Sequence, residues 1–217
     1  MKNYFDVLKN NYLFDGIAFS DFETMLGCLA AKKVAYKRGD VILLSGDAVS
    51  FVGLILSGGV KVIKEDIDGR ITILTEHGAS DIFGEVFACA GVSHSPVTIE
   101  ASDGSEILFI DFKRIISSCS SACPFHTRLI ENMLGLIAKK NLILTQKIEI
   151  LSRRTIRDRL FYFFEAQSGA SRKFTIPFNR EELAHYLCVD RSAMSKELSK
   201  MRDEGLIRFR KNSFELL

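Results

Sequence analysis

The chain has 217 residues, 47% of them hydrophobic, and a formal net charge of +2. That length suits two modest domains, each with its own core, and no apolar run approaches the roughly 18 residues needed to cross a bilayer. The opening MKNYFDVLKNNYLF carries charges throughout and lacks the apolar centre of a signal peptide, so a cytoplasmic protein with no membrane contact is expected. Charge is unevenly placed: from Arg153 onward 14 Lys or Arg face 9 Asp or Glu, whereas the first 152 residues hold 15 against 18. An acidic front and a basic back fit a sensor joined to a phosphate-binding module. The five cysteines, Cys28, Cys89, Cys119, Cys123 and Cys188, are odd in number and scattered, which reads as reduced thiols.

From Lys32 to Asp111 short β-type runs follow one another, punctuated by glycine: KKVAYK, DVILLS, FVGLILSGGVKVIKE, GRITILTEH, TIEAS and EILFIDF. Asp68-Gly69, between Ile67 and Arg70, is a hairpin signal because glycine tolerates positive φ. The pattern predicts an antiparallel β-barrel or jelly roll.

Pro124 suits the first position of a helix, and an unbroken helical pattern runs from there to Leu151. As heptads, the a positions are Thr127, Leu134, Asn141 and Ile148, and the d positions are Ile130, Ile137, Leu144 and Leu151. Aliphatic d residues with one central Asn at a suit a parallel two-stranded coiled coil, in which the buried Asn fixes register. A second stripe, Leu129, Met133, Leu136 and Ile143, is predicted to pack on the barrel, and Gly135 to allow close approach of a neighbour. Just before this helix, Cys119, Cys123 and His126 form a C-x3-C-x2-H grouping. It fits a metal site or a redox thiol pair, with two separate thiols at a helix start as the plainer reading.

Ser152-Arg153-Arg154 marks a hinge, after which TIRDRLFYFFEAQSG predicts an amphipathic helix whose Ile156, Leu160, Phe163 and Phe164 form a small core. A short strand, Phe174–Pro177, leads into two short helices joined by a turn at Cys188-Val189. Asn179 and Glu182 form a capping box for the first helix and Asp190 caps the second. Leu183, Ala184 and Leu187, then Met194, Leu198 and Met201, line the buried side, and Gly205 closes the pair. Arg191, Ser192, Ser195 and Lys196 are left facing outward, where a recognition helix needs hydrogen-bonding side chains to reach base edges. LIRFRKNSFEL then alternates around Lys211-Asn212 as a β-hairpin wing, placing Arg208, Arg210 and Lys211 near phosphates.

YKRGDVILLSGDAVSFVGLILSGGVKV followed by HGASDIFGEV resembles the small β-barrel of bacterial Crp/Fnr-type transcription regulators, and LSRRTIRDRLFYF resembles the corresponding Fnr-type segment. The order barrel, long helix, helix-turn-helix is that of the family. The resemblance implies an α+β chain: a β-barrel or jelly roll like the cyclic-nucleotide-binding domain over 1–123, a long dimerisation helix over 124–151, and a winged helix-turn-helix over 152–217. Implied partners are a palindromic double-stranded operator, a second copy of the chain, a small-molecule or redox effector, and RNA polymerase if the regulator activates.

In cyclic-nucleotide-binding members a Gly-Glu pair and a downstream Arg-Ser pair hold the ligand. Gly84-Glu85 matches the first pair, but the stretch that follows reads Ser93-His94-Ser95-Pro96, with no arginine between Gly84 and Pro96. Without the bidentate phosphate clamp, cyclic AMP or GMP is not the expected effector. A different small molecule in a pocket around Gly84, Glu85, His94, Ser95 and Asn141 remains open. Iron–sulfur members carry an N-terminal cysteine cluster, whereas Cys28 alone precedes Cys89 here, so a cluster is not expected. A haem on His77 or His94 has no local support. Many members have Glu where this chain has Ser192, and Arg where it has Lys196, so known operator sequences do not transfer. Two other readings stand beside the effector-controlled regulator: a constitutive DNA binder with a structural barrel, and a jelly-roll metal-dependent enzyme. The second needs clustered His and carboxylate ligands, and His77, His94, His126 and His185 are dispersed in the chain.

Overall fold

A computed structural model describes residues 2–66, 68–117 and 123–217, which fall into two compact units, 1–138 and 139–217. In the first unit two helices, α1 (Lys2–Leu8) and α2 (Phe19–Cys28), precede the strands β1 (Lys32–Tyr36), β2 (Val41–Leu43), β3 (Phe51–Ser57), β4 (Gly59–Glu65), β5 (Ile71–Gly78) and β6 (Ile82–Phe83). A short α3 (Glu85–Cys89), β7 (Thr98–Ala101), β8 (Ser105–Asp111) and a short α4 (Phe112–Ile116) follow. The strands form two antiparallel four-stranded sheets, ordered β1-β8-β3-β6 and β2-β7-β4-β5.

Side-chain alternation explains how the sheets are used. Ile55 and Ile107 from the first sheet meet Leu43, Val60, Val62 and Ile99 from the second in one core. Val52, Leu54, Leu56, Leu108 and Ile110 point the other way and pack under helices, in one core with Phe22 and Met25 of α2 and Leu29 just past its end. Strand β3 is therefore buried on both faces, and its sequence FVGLIL is almost continuously apolar for that reason. The jelly-roll expectation is met, and the Asp68-Gly69 turn links β4 to β5 with Gly69 at φ 75° and Asp66 accepting from the Asp68 and Arg70 amides.

The long helix α5 spans Pro124–Leu151 without a break. Its first half belongs to the sensor unit, where Phe125, Leu129, Met133 and Leu136 enter the core under the first sheet. Asn132 is buried as well, and its amide donates to the Leu13 and Asp15 carbonyls at 3.0 and 2.8 Å. Gly135 receives a close neighbour from its own chain: a Cβ there would lie 2.7 Å from the Tyr12 hydroxyl. Ile143 departs from expectation, being 61% exposed rather than packed on the barrel. It lies two turns, about 10 Å, beyond Leu136, where the helix has already left that core.

The second unit holds the rest of α5, then α6 (Ile156–Ser168), β9 (Lys173–Thr175), α7 (Arg180–Leu187), α8 (Arg191–Asp203), β10 (Ile207–Arg210) and β11 (Ser213–Leu216). Leu160, Phe163 and Phe164 of α6 and Ile150 of α5 are the centre of its core, with Leu183, Leu187, Met194, Leu198 and Met201 packed around them. Ile156 is half-buried at its margin.

Candidate DNA-binding site and effector pocket

Each helix of the α7–α8 pair begins at a cap written into the sequence. Asn179 Oδ1 accepts from the amides of Glu181 and Glu182, while the Glu182 carboxylate accepts from the Asn179 amide at 2.8 Å, which completes the capping box. Asp190 Oδ1 accepts from the Ala193 amide at 2.8 Å and from the Ser192 hydroxyl at 2.6 Å. The Ser192 hydroxyl, with the Ala193 amide second, holds the Asp190 carboxyl below its ordinary pKa. Met194, Leu198 and Met201 are buried, which turns Arg191 and Lys196 outward, both exposed. Ser192 is exposed but spends its hydroxyl on the cap. Ser195 is half-buried, and its carbonyl accepts from Ser199.

The wing follows directly. β10 and β11 pair antiparallel, with Arg208 opposite Glu215 and Arg210 opposite Ser213, and β9 completes a three-stranded sheet. Lys211 takes the left-handed turn position at φ 52°, and Arg208, Arg210 and Lys211 are all exposed. One unit thus presents cations from the first turns of a helix and from a hairpin.

In the sensor unit Gly84 caps α3 at φ 80°, a left-handed conformation that favours glycine, and a Cβ there would also lie 3.1 Å from the Phe51 carbonyl. Glu85 is buried, and next to it burial, then the Glu85 charge, pushes the Cys89 thiol up. Ser95 is buried too, its hydroxyl donating to the Val97 carbonyl at 2.6 Å. His94 is exposed and bridges to Ala48. Asn141 is exposed on α5 in the other unit, so the five pocket candidates are not gathered in one unit.

Comparison with known proteins covers both units. Residues 33–121 match the cyclic nucleotide-binding domain and residues 156–217 the Crp-like helix-turn-helix domain. A CRP-like cAMP-activated global transcriptional regulator of Mycobacterium tuberculosis is 24% identical over 212 residues, 94% of this chain and 91% of that one. The transcriptional activator FnrA of Stutzerimonas stutzeri is 22% identical over 178 residues, 79% of this chain and 70% of that one. The crystal structure of the Thermus thermophilus catabolite activator protein superposes over 95% of this chain and 94% of that one, with a TM-score of 0.56 at 21% identity. The chain belongs to the Crp/Fnr family of transcription regulators. It is a DNA-binding regulator, and its relatives are regulators rather than enzymes. They include both a cAMP-activated protein and Fnr-type activators, so the family alone assigns no effector or cofactor here. Among the described residues, no helix is long and apolar enough to cross a membrane.

Several side chains that brace the Crp/Fnr reading head carried no sequence signal. Arg157 of α6 donates to Glu197 at 2.5 Å and grips Glu204 with two nitrogens at 2.7 and 2.9 Å, tying α6 to the recognition helix α8. Arg180 at the start of α7 lies 5.0 Å over the rings of both Phe209 and Phe214 and donates to the Lys211 carbonyl, fixing the wing to the helix pair. Burial pushes the Arg180 guanidinium below its ordinary pKa. Lys147 of α5 stands 3.6 Å over the Tyr186 ring and donates to the Tyr186 carbonyl. Only long-range contacts define these residues, and a spacing rule does not find them.

Cys188 sits in the turn at φ 51° and ψ 53°, a left-handed conformation that costs a non-glycine residue about 1–2 kcal/mol. Its side chain is exposed. Cys188→Gly is therefore expected to stabilise the chain by about 0.5–1 kcal/mol, after the added freedom of the unfolded chain is subtracted. Urea unfolding of the two proteins measures it, and a destabilised variant would show that the thiol makes contacts the turn needs.

Proposed function

We propose that this regulator acts as a homodimer on a two-fold symmetric operator, with α8 of each copy in successive major grooves about 34 Å apart. The observation that carries the reading is the exposure of Arg191 and Lys196 on the first turns of a doubly capped α8, beside a wing bearing Arg208, Arg210 and Lys211. Arg191 has the fork to pair with guanine O6 and N7, Lys196 reaches a guanine or a phosphate, and the wing cations meet the backbone. With Ser192, short and held by Asp190, where relatives carry Glu, the helix has no long carboxylate there to reach a cytosine amine, and the operator differs from sites read through Glu.

The dimer is supported by an unpartnered aliphatic stripe on α5: Leu134, Leu144 and Ile148 are 68%, 61% and 67% exposed, with Ile130, Ile137 and Leu151 half-buried along the same seam. Control by a signal in the sensor unit completes the reading. A cyclic nucleotide is a poor fit, because Glu85 is a buried carboxylate and the segment from Gly84 to Pro96 supplies no guanidinium for a phosphate. Any effector acts by binding the competent arrangement more tightly than the other.

Selection of bound sequences from random DNA, with and without cell extract, tests the reading. A symmetric consensus is expected, and enrichment that is the same in both arms favours a constitutive binder. On that consensus Arg191→Ala should cost about 1–3 kcal/mol at one base pair of each half-site. Equal weakening on every sequence would make Arg191 a phosphate contact instead.

A further inference from the structure

The end of α2 and the start of α5 bring Cys28 together with two metal-binding side chains almost a hundred residues later in the chain. Cys28, Cys123 and His126 each offer one donor atom, and the three atoms lie within 4.8 Å of one another. Cys28 Sγ and His126 Nε2 are 3.9 Å apart. The imidazole is 4% exposed, and its Nδ1 has no hydrogen-bond partner among the described residues. Nε2 is the ring nitrogen that faces the Cys28 sulfur, and so the one placed to bind a metal. Cys119, the third member of the sequence grouping, lies outside the described residues.

We propose that Cys28, Cys123 and His126 hold one d10 metal cation, Zn2+ or Cu+, as two thiolates and one imidazole. Sulfur donors select these soft or borderline ions over the magnesium and calcium that carboxylates favour. Bonds of about 2.3 Å to sulfur and 2.0–2.1 Å to nitrogen set the donors of a tetrahedral site about 3.6–3.8 Å apart. The 3.9 Å pair is nearly there, and the widest separation needs to close by about 1 Å. As each metal–sulfur bond forms, the thiol proton passes to solvent, so binding weakens as pH falls. Two thiolates on Zn2+ make a neutral complex, which suits a site packed against Phe125 and the core beneath it. Arg114 donates to the Cys28 carbonyl at 3.1 Å, which holds the end of α2 in place. Both cysteines are half-exposed, which gives the ion an entry path, and three protein donors leave Zn2+ one open position for water or a signal ligand.

The site would clamp α2 to the first turn of the helix that carries the dimer seam. Metal binding is read directly, so its failure leaves the DNA-binding function standing. The full chain, reduced and stripped with a chelator, is titrated with Co2+, with Zn2+ against a chromogenic chelator, and anaerobically with Cu+. One equivalent per chain is expected, with a thiolate-to-cobalt charge-transfer band. Cys28→Ser and His126→Gln should each weaken binding by about 100-fold or more, while Cys89→Ser and Cys188→Ser leave it unchanged. Metal should raise the melting temperatures of the wild type, Cys89→Ser and Cys188→Ser but not those of Cys28→Ser and His126→Gln, and apo variants that melt with the apo wild type separate ligand loss from misfolding. The proposal is overturned by the absence of stoichiometric binding, by wild-type affinity in Cys28→Ser, or by protein that takes no metal when reduced and, exposed to oxygen as the electron acceptor, only forms a Cys28–Cys123 disulfide.

Discussion

A Leu144→Asp/Ile148→Asp double variant is expected to be a monomer that has lost at least about 100-fold in operator affinity. Both side chains are more than half exposed in the single chain, so neither contributes to the packing of its own unit. In a parallel seam each a or d residue meets its counterpart on the twin. Two substitutions per chain then place four carboxylates in one desolvated interface, and each uncompensated charge there costs several kcal/mol. A monomer engages one half-site and loses the gain from binding two linked reading heads at once. Light scattering reads the mass, and titration of a symmetric DNA duplex reads the affinity. Because the positions are exposed, the variant's far-ultraviolet circular dichroism should match the wild type, which separates dissociation from unfolding. A variant that remains a dimer with unchanged DNA affinity would remove the seam from the account.

How far the sequence anticipated this depends on the range of the interaction. Caps, turns and strand alternation are local, and they read correctly: Asn179, Glu182 and Asp190 form the bonds that their spacing implies. The glycine-punctuated runs became the strands of two sheets for the same reason, since period and turn chemistry are set within a few residues. What the sequence could not show is where one helix stops serving a given core. The stripe Leu129, Met133, Leu136, Ile143 has a regular spacing, yet Ile143 is exposed because the packed surface ends two turns earlier. Helices α1 and α2 escaped notice because their apolar residues cover a sheet face instead of forming a motif. The buried asparagine of α5 within a unit's core is Asn132, which satisfies two carbonyls near the N-terminus, while Asn141 is exposed.

The two halves of α5 carry different attachments, and that bears on regulation. Residues through Ile137 pack into the sensor core, while Lys147, Glu149, Ile150 and Leu151 are bound to the reading head. Tyr162 donates to the Glu149 carboxylate, and that bond, ahead of burial, raises the Tyr162 phenol above its ordinary pKa. Between them runs a stretch of α5, including Leu142, Ile143 and Leu144, whose side chains are exposed. In the proposed dimer, a change of seam packing meets the least resistance in that stretch, where Leu142, Ile143 and Leu144 are not held in a core of their own chain.

Arg159→Ala is expected to destabilise the DNA-binding unit by about 2–4 kcal/mol. One guanidinium here serves the ends of two helices. Its nitrogens donate to the Leu151 and Arg153 carbonyls at 3.3 and 3.0 Å, at and just past the end of α5, and to the Leu187 and Cys188 carbonyls at 3.0 and 3.2 Å, at the end of α7. Terminal carbonyls have no partner within their own helix, and a positive charge at a helix C-terminus is favourable by about 0.3–1 kcal/mol. Arg159 supplies both effects twice, and it holds the turn in which Cys188 adopts its left-handed conformation. Alanine returns four carbonyls to partial solvation and frees the turn that sets the angle between α7 and α8. Arg159→Lys keeps the charge but not the fork, so it should recover less than half of the loss. Hydrogen exchange gives the sharpest check: amides that close the turn, such as Cys188 and Val189, should lose protection in Arg159→Ala before those of the α6 core. If the loss is below about 0.5 kcal/mol and protection around Cys188 is unchanged, the bonds from Arg159 are incidental, and Arg157 and Lys147 brace the reading head without it.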